Sequence, residues 1–370
     1  MASCRSFSLL YKELVVKLPE LGSFFNMKSK SLNNQRQSNM ELLRIVAMLA
    51  VIAVHLDGAS LGLPHPVEDI TSLSAGDWWR LFVEAITIVG VNCFTLISGY
   101  FGIRSSIRGF AVFFFQCIFY SVGICTVMML VRRVFFCEAL CLSDWIDSWL
   151  IFTHNDLWYV PAYLGLYLMA PFLECGLNDL SKRRFTFYLA AFVLFNVYCG
   201  WIWRGTFNPT GYTILHLVMM YLIGRYIGKF ITITEVNRCK IRMYSCCVYC
   251  GATILITLMA TSFDTNWVYA YNSPLVIASS IALFMLFATL RFSYKWINFI
   301  ASSAFAAYLI HKNPYVWRDF IKQSSIYLWE GNSLLSFTLL YLLFVLLIFA
   351  VCVIVDILRR AIFARIGLTK

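Results

Sequence analysis

The stretch LLSFTLLYLLFVLLIFAVCVIVDIL, residues 334–358, decides the fold class of this chain. Asp356 is its only charged side chain, and nearly all the others are apolar. The hydrocarbon core of a bilayer is about 30 Å thick, so a helix needs roughly 20 apolar residues to cross it. The stretch therefore predicts a membrane-spanning helix.

Composition extends this prediction to the whole chain of 370 residues. Apolar residues make up 60% of it and charged residues 13%, against about 45–50% and about 25% in soluble domains. A soluble protein of this size needs more polar surface, so the composition excludes a soluble enzyme, a disordered protein and a disulfide scaffold. It predicts an all-α, polytopic transmembrane bundle.

Ten apolar segments are candidates for crossing the bilayer. They are residues 40–56, 79–101, 107–131, 157–173, 185–203, 211–230, 243–262, 274–292, 300–316 and 334–358. None resembles a cleavable signal, because a long polar-rich stretch precedes the first segment and no small-residue cleavage site follows it.

Orientation follows from the distribution of Lys and Arg. With a cytoplasmic N-terminus, 22 of the 30 basic residues fall in inner segments, 7 fall in outer loops, and Arg44 lies inside the first span. We therefore predict that both termini are cytoplasmic. The chain divides into a tail (1–39), a transmembrane domain (40–358) and a basic tail (359–370), with Met27 as an alternative start that would make residues 1–26 an over-extended reading frame.

The net charge of +11 is explained by these topology signals. The sequence has no basic stripe interleaved with exposed aromatic residues, so we expect no nucleic-acid partner. The 13 cysteines are scattered, and the pair Cys247 and Cys250 lies in an apolar segment without a second pair or a histidine cluster. We therefore expect no bound metal.

Arg44 and His55 in the first segment are the sharpest candidate site residues. Eleven positions make three helical turns plus roughly 20°, so both side chains share one helix face about 16 Å apart along the axis. Charged groups at bilayer depth are costly and indicate function. Arg44 as an interfacial anchor and His55 as a polar end to the span remain alternatives.

Further candidates lie at the ends of other segments. Ser98 precedes Gly99 where small residues allow close helix packing. Arg104 and Arg108 are spaced to stack if they are helical, which suits an anionic ligand on the cytoplasmic side. The remaining polar candidates are Trp158 in the segment 154–161, whose aromatic residues also suit an interfacial belt, His311 at the end of the ninth segment, and Glu84 and His216, which are more typical of packing or a polar network.

The chain resembles the acyltransferase type 3 family of integral membrane proteins. The resemblance rests on Arg44-x10-His55, on Phe94-x-x-Ile97-Ser98-Gly99-Tyr100, on Leu157-Trp158-Tyr159 with Tyr167-Leu168-Met169-Ala170-Pro171, and on Tyr308-Leu309-Ile310-His311. These motifs follow the family's order over about residues 40–320. One departure is the spacing Arg104-x-x-x-Arg108, where the family often has Arg-x-x-Arg.

The resemblance implies an O-acetyltransferase with acetyl-CoA as donor. The acceptor would be a hydroxyl of a lipid-linked or surface glycan (capsule, lipopolysaccharide or exopolysaccharide) at a bacterial inner membrane, among membrane lipids. His55 is then the general base or a transient acyl carrier, and Arg44 holds a phosphate or the pantetheine carbonyl. Arg104 and Arg108 would bind the nucleotide phosphates, and Ser98, Trp158 and His311 would line the substrate site.

A transporter or flippase of a lipid-linked glycan is the alternative function. Intramembrane His and Arg side chains would then form a substrate or proton path. The sequence shows no internal two-fold repeat and no matching pair of Gly/Pro-broken spans, which are typical of transporter sites. These features favour the enzyme.

Overall fold

A computed structural model describes residues 37–137, 141–153, 157–205 and 207–365. Most of the predicted N-terminal tail, residues 154–156 of the fourth candidate segment's flank and residues 366–370 lie outside the described residues. Those that are described form helices, turns and loops, with no strand in these ranges. An all-helical fold is therefore confirmed.

The first half of the described chain holds α1 (Ser38–Leu56), α2 (Gly58–Leu61), α3 (Ala75–Thr87), α4 (Gly90–Phe101), α5 (Ile107–Phe136), α6 (Leu142–Trp149), α7 (Tyr159–Asn178) and α8 (Lys182–Asn196). The second half holds α9 (Ile214–Phe230), α10 (Glu235–Ser262), α11 (Thr265–Val268), α12 (Pro274–Ala288), α13 (Lys295–Ala301), α14 (Ala304–His311), α15 (Pro314–Val316), α16 (Gln323–Glu330) and α17 (Leu334–Arg365). A π-helical turn follows α8 and another follows α15.

Seven helical stretches in the described ranges are long and apolar enough to cross a membrane. They are Ser38–Leu61, Ala75–Phe101, Ile107–Phe135, Tyr159–Asn178, Lys182–Ile202, Glu235–Ser262 and Leu334–Arg365. The other three predicted segments are also helical but shorter. Helices α9 and α12 have 17 and 15 residues, and the segment 300–316 is divided among α13, α14 and α15. The count of ten spans stays a prediction.

Helix α1 lies inside the bundle and carries His55 in its last turn. About half of its residues are buried, and Leu43 and Ile52 are fully so. Both ends are tied to distant helices. The Asn39 amide donates to the carbonyl of Phe287 at 3.1 Å, and the Tyr341 hydroxyl of α17 donates to the carbonyl of Ala53 at 2.8 Å. These bonds fix where His55 lies.

Helices α4 and α9 pack closely because glycines form the contact. A Cβ atom at Gly224 would collide with the carbonyl oxygen of Leu96, and one at Gly228 would lie 2.5 Å from the carbonyl oxygen of Tyr100. Gly99 faces the backbone of Tyr221 in the same way. Small residues let helix backbones approach in a membrane, and the Gly224-x-x-x-Gly228 spacing is typical of such a seam.

A buried polar cluster joins α17 to α5 and to the α13–α14 junction. The Tyr120 hydroxyl and the Arg359 guanidinium donate to Oδ1 of Asp356, at 2.7 Å and 2.8 Å. Arg360 donates to the hydroxyls of Ser302 and Ser303, at 2.6 Å and 3.0 Å. Because the two serines precede α14, this cluster anchors the helix that ends at His311.

Candidate active site

His55 and His311 form a direct pair, although 256 residues separate them in sequence. Nδ1 of His55 lies 2.9 Å from Nε2 of His311. The second ring nitrogen of His311, Nδ1, lies 2.6 Å from the carbonyl oxygen of Ala307. His311 is fully buried, whereas His55 is half-buried. The first and ninth candidate segments therefore meet at this histidine pair.

The hydrogen-bond network assigns the proton positions of this pair when both rings are neutral. A carbonyl oxygen only accepts, so Nδ1 of His311 carries the proton and its Nε2 has a lone pair. Nδ1 of His55 must then donate to that lone pair. This leaves Nε2 of His55 unprotonated, as a general base or a nucleophile requires.

His55 borders a cavity of about 770 Å³, which is within the usual range for a small-molecule site. The wall combines polar and aromatic side chains. They include His55, Glu84, Trp158, Tyr212, Tyr271, Asn266, Lys312 and Arg318. A separate gap of about 20 Å³ also borders His55, and Tyr159 and Tyr308 are among the residues that line it. The imidazole thus borders both a large cavity and a narrow gap.

Three aromatic rings form one side of the large cavity. Trp158 and Tyr212 have ring centroids 4.7 Å apart, and Tyr212 and Tyr271 have centroids 4.8 Å apart. His216 is not among the described residues that line the cavity, but it supports this wall. Its Nε2 lies 2.7 Å from Asn92 Oδ1, and the Asn92 amide donates to the carbonyl of Tyr271 at 3.1 Å. His216 therefore belongs to a polar network that holds Tyr271.

Arg44 lies outside this cavity, about three turns along α1 from His55. Its Nη1 is 2.7 Å from both carboxylate oxygens of Glu41. The Arg44 side chain is 29% exposed and the Glu41 side chain 7%, so one face of the guanidinium is accessible. The predicted common helix face of Arg44 and His55 does not bring the two side chains into contact.

Ser98 connects to the site through tyrosines of α7. Its hydroxyl donates to the carbonyl of Phe94 at 3.0 Å and lies 3.4 Å from the Tyr163 hydroxyl. Tyr163 stacks on Tyr159 with centroids 5.6 Å apart, and Tyr159 borders the narrow gap beside His55. Ser98 is therefore two side chains away from the gap and does not line the large cavity among the described residues.

Tyr167 continues this row one helical turn further, at the same four-residue spacing. Its hydroxyl accepts from the amide of Ser106 at 2.9 Å and donates to the carbonyl of the same residue at 3.0 Å. The tyrosines 159, 163 and 167 thus form a row along α7, here called the tyrosine row. It leads from the gap beside His55 to the loop before α5.

Arg104 and Arg108 lie in and just after that loop, and both are exposed. Helix α5 begins at Ile107, so Arg104 lies in the loop and only Arg108 is helical. The condition for the two arginines to stack as helical neighbours is therefore not met. Neither makes a hydrogen bond or an ion pair with another described residue, which leaves both guanidinium groups accessible.

Sequence reasoning missed a second charged group near this loop. Glu174 pairs with Arg225 at 2.6 Å and accepts from the Tyr221 hydroxyl at 2.5 Å. That hydroxyl also accepts from the amide of Ile103 at 3.2 Å. In the sequence, the only sign of this group is the single acidic residue Glu174 at the end of an apolar segment. Tyr212 and Tyr271 were missed as well, because aromatic residues at loop edges are typical of an interfacial belt.

Among the described residues, no group of three or more His, Cys, Asp and Glu side chains is arranged to hold a metal ion. Searches of curated proteins and of solved structures return no match for this chain. A family model for an acyltransferase domain, that of acyltransferase type 3, matches residues 37–357. The match covers nearly the whole described bundle, including the histidine pair and the large cavity. The chain therefore belongs to the acyltransferase type 3 family.

Proposed function

We propose that this membrane acyltransferase moves an acetyl group from acetyl-CoA to a hydroxyl of a lipid-linked or surface glycan at a bacterial inner membrane. The observation that carries the proposal is the unprotonated Nε2 of His55 at the wall of a large polar and aromatic cavity. A hydroxyl is a weak nucleophile, so a base within hydrogen-bond reach is the group this reaction needs.

The reaction follows from the proton assignment of the histidine pair. Nε2 of His55 takes the proton of the acceptor hydroxyl while the oxygen attacks the thioester carbonyl. The carbon–sulfur bond breaks, and the sulfur leaves as the CoA thiol after receiving that proton from Nε2. His311 keeps the proton on Nδ1 of His55 directed away from the substrate. If His55 carries the acyl group transiently, the same lone pair would attack the thioester, the carbon–sulfur bond would break to release the CoA thiolate, and the Nδ1 proton of His55 would pass to Nε2 of His311.

The composition of the cavity supports a sugar as the acceptor. Trp158, Tyr212 and Tyr271 offer flat apolar faces, whereas Asn266 and Glu84 offer hydrogen-bonding groups. Sugars combine apolar C–H faces with hydroxyl edges, so a wall of this mixed kind suits them. The cavity volume of about 770 Å³ accommodates more than one sugar ring.

Two features support a donor that enters from the opposite end of the bundle. Arg104 and Arg108 are exposed with no described partner, and the excess of basic residues on their side predicts that this side is cytoplasmic. The tyrosine row leads from their loop to the gap beside His55. The nucleotide phosphates would bind at the arginines, and the pantetheine arm would pass Arg44 towards His55.

The test is the release of free thiol from acetyl-CoA by purified protein, with and without a glycan fraction of the source organism. Wild type should release thiol slowly alone and faster with the glycan, which should gain acetyl ester. His55→Ala should abolish both activities, whereas the exposed-loop variant His65→Ala should retain them. Full transfer by His55→Ala, or glycan transport across vesicles with intact acetyl-CoA, would contradict the proposal.

A further inference from the structure

The buried carboxyl group of Glu84 lies at the wall of the large cavity, on the α3 side. The residue is only 4% exposed. Its Oε2 atom has no hydrogen-bond partner among the described residues. A buried polar group without a partner is costly, and more so if it is charged. An unmatched carboxyl group at a cavity wall therefore indicates a partner that the chain does not supply.

The neighbouring arginine does not meet this need. Nε of Arg80 donates to Oδ1 of Asp57 at 2.6 Å, and its Nη2 donates to the carbonyl of Gly62. The guanidinium also lies over the ring of Trp329, 5.1 Å from its centroid. Arg80 is thus held by Asp57, Gly62 and Trp329. Two buried carboxyl groups share one cation, and Asp57 has the direct contact.

Gly58 creates the space that the Glu84 carboxyl group occupies. A Cβ atom at position 58 would lie 2.9 Å from Oε2 of Glu84 and 3.2 Å from its Oε1. Gly58 and His55 both line the same cavity, and only one helical turn separates them in sequence. A side chain at position 58 would therefore disturb Glu84 beside the catalytic imidazole.

We propose that Glu84 binds the acceptor, with its carboxyl group hydrogen-bonded to a hydroxyl of the sugar held against His55. Oε2 lies against Gly58, and the same carboxyl group lines the cavity. The bonded hydroxyl is a neighbour of the one that reacts, so Glu84 selects which ring position faces Nε2. This inference rests on the proposed function and adds to it a residue that determines acceptor specificity.

The experiment compares two activities of each variant in proteoliposomes. One is transfer to graded amounts of the lipid-extractable glycan fraction of the source organism, and the other is thiol release from acetyl-CoA without acceptor. Because the sugar hydroxyl would be left without its buried partner, Glu84→Ala should lower kcat/KM for the glycan about tenfold to a hundredfold, and Glu84→Gln, which keeps an oxygen acceptor, should lower it less. Thiol release should fall by a clearly smaller factor than glycan transfer in both variants, because the acceptor takes no part in it.

Gly58→Ala provides a second variant that leaves Glu84 in place and crowds its carboxyl group. It should raise the KM for the glycan while thiol release persists. Glu68→Gln, on the exposed loop after α2, is the matched control and should behave as wild type.

Unchanged glycan kinetics in Glu84→Ala would overturn this inference but not the proposed function. An equal loss of both activities would also overturn it, because it would indicate a structural role for Glu84. No glycan acetylation by wild type would overturn the proposed function, and this inference with it.

Discussion

At the scale of single residues, one backbone carbonyl determines the chemistry of two imidazole rings. The oxygen of Ala307 fixes the proton on Nδ1 of His311, and His311 in turn fixes the proton on Nδ1 of His55. Neither ring has a carboxylate in direct hydrogen-bond contact among the described residues. The Nε2 lone pair of His55 is therefore oriented by a chain of neutral hydrogen bonds and not by a carboxylate.

This chain predicts that His311 is a positioning residue. His311→Ala removes the acceptor for Nδ1 of His55, so the His55 proton is no longer held on one nitrogen. We expect kcat to fall about tenfold to a hundredfold with little change in the KM for acetyl-CoA, since acid–base catalysis contributes about 10²–10⁴. His311→Gln restores an oxygen acceptor and should recover part of the rate. A wild-type kcat and pH–rate profile in His311→Ala would contradict the assignment.

A second prediction concerns Arg44 and its bond to both oxygens of Glu41. Arg44→Lys keeps the charge but loses the planar fork that can hold a phosphate or carbonyl oxygen beside Glu41. We expect the KM for acetyl-CoA to rise about tenfold. Arg238→Lys is a matched control, because Arg238 pairs with Glu235 at the same three-residue spacing on an exposed helix end. Equal donor kinetics in both variants would make Arg44 a topological anchor only.

At the scale of helices, the sequence predicts which segments are helical better than it predicts where a helix is interrupted. Length and apolarity identify a helix in each of the ten segments, because burial in lipid depends on local composition. The same pattern does not reveal that the segment 300–316 divides at Ser302 and Ser303. Arg360, from a distant part of the sequence, binds both serines there. Breaks of this kind depend on tertiary contacts.

The candidate site shows the same division. The motif residues His55, His311 and Trp158 are predictable from the sequence: His55 and Trp158 line the large cavity, and His311 contacts His55 without lining that cavity. The role of Tyr271 is not, since only folding brings it against Trp158 and onto the Asn92 amide. Likewise, the sequence does not reveal that Oε2 of Glu84 lacks a hydrogen-bond partner among the described residues, because this depends on how the cavity wall is assembled in the fold.

The glycine seam between α4 and α9 carries a prediction about stability. Gly224→Ala places a Cβ atom against the carbonyl oxygen of Leu96 and 2.9 Å from the amide nitrogen of Tyr100. Overpacking of this kind should cost about 1–3 kcal/mol, seen as a lower apparent Tm in detergent. Gly251→Ala in α10 is the control, because its Cβ atom would have no neighbour within 4 Å. It should be neutral or stabilising by up to about 1 kcal/mol.

At the scale of the whole molecule, the two candidate binding regions lie at opposite ends of the bundle. The large cavity lies beyond His55, at the C-terminal end of α1. Arg104 and Arg108 lie past the far end of the tyrosine row. Because the distribution of basic residues predicts that the Arg104 side is cytoplasmic, we expect donor and acceptor to approach from different compartments, with only the acetyl group passing between them.

This arrangement predicts sidedness that oriented proteoliposomes can measure. Acetyl-CoA supplied on the Arg104 side should support transfer, and the donor supplied on the other side should not. Replacing both Arg104 and Arg108 by Gln should raise the KM for acetyl-CoA, and added salt should weaken the wild-type advantage, because exposed charges are screened. The double variant Arg183→Gln with Arg184→Gln removes equal charge from the exposed start of α8 and should be neutral. Activity with donor on either side would refute the model.

The narrow gap beside His55 has a consequence for the electrical integrity of the membrane. Its volume of about 20 Å³ has room for about one water molecule, which occupies roughly 10–15 Å³ by this kind of measure. A proton wire needs a continuous file of waters, and a gap of this size, lined by Tyr159 and Tyr308, is too small to hold one. We therefore expect the protein without its donor to conduct no protons at this point. In the proposed mechanism the pantetheine arm would fill the gap when it enters, so we expect acyl transfer to proceed without discharging ion gradients across the bilayer.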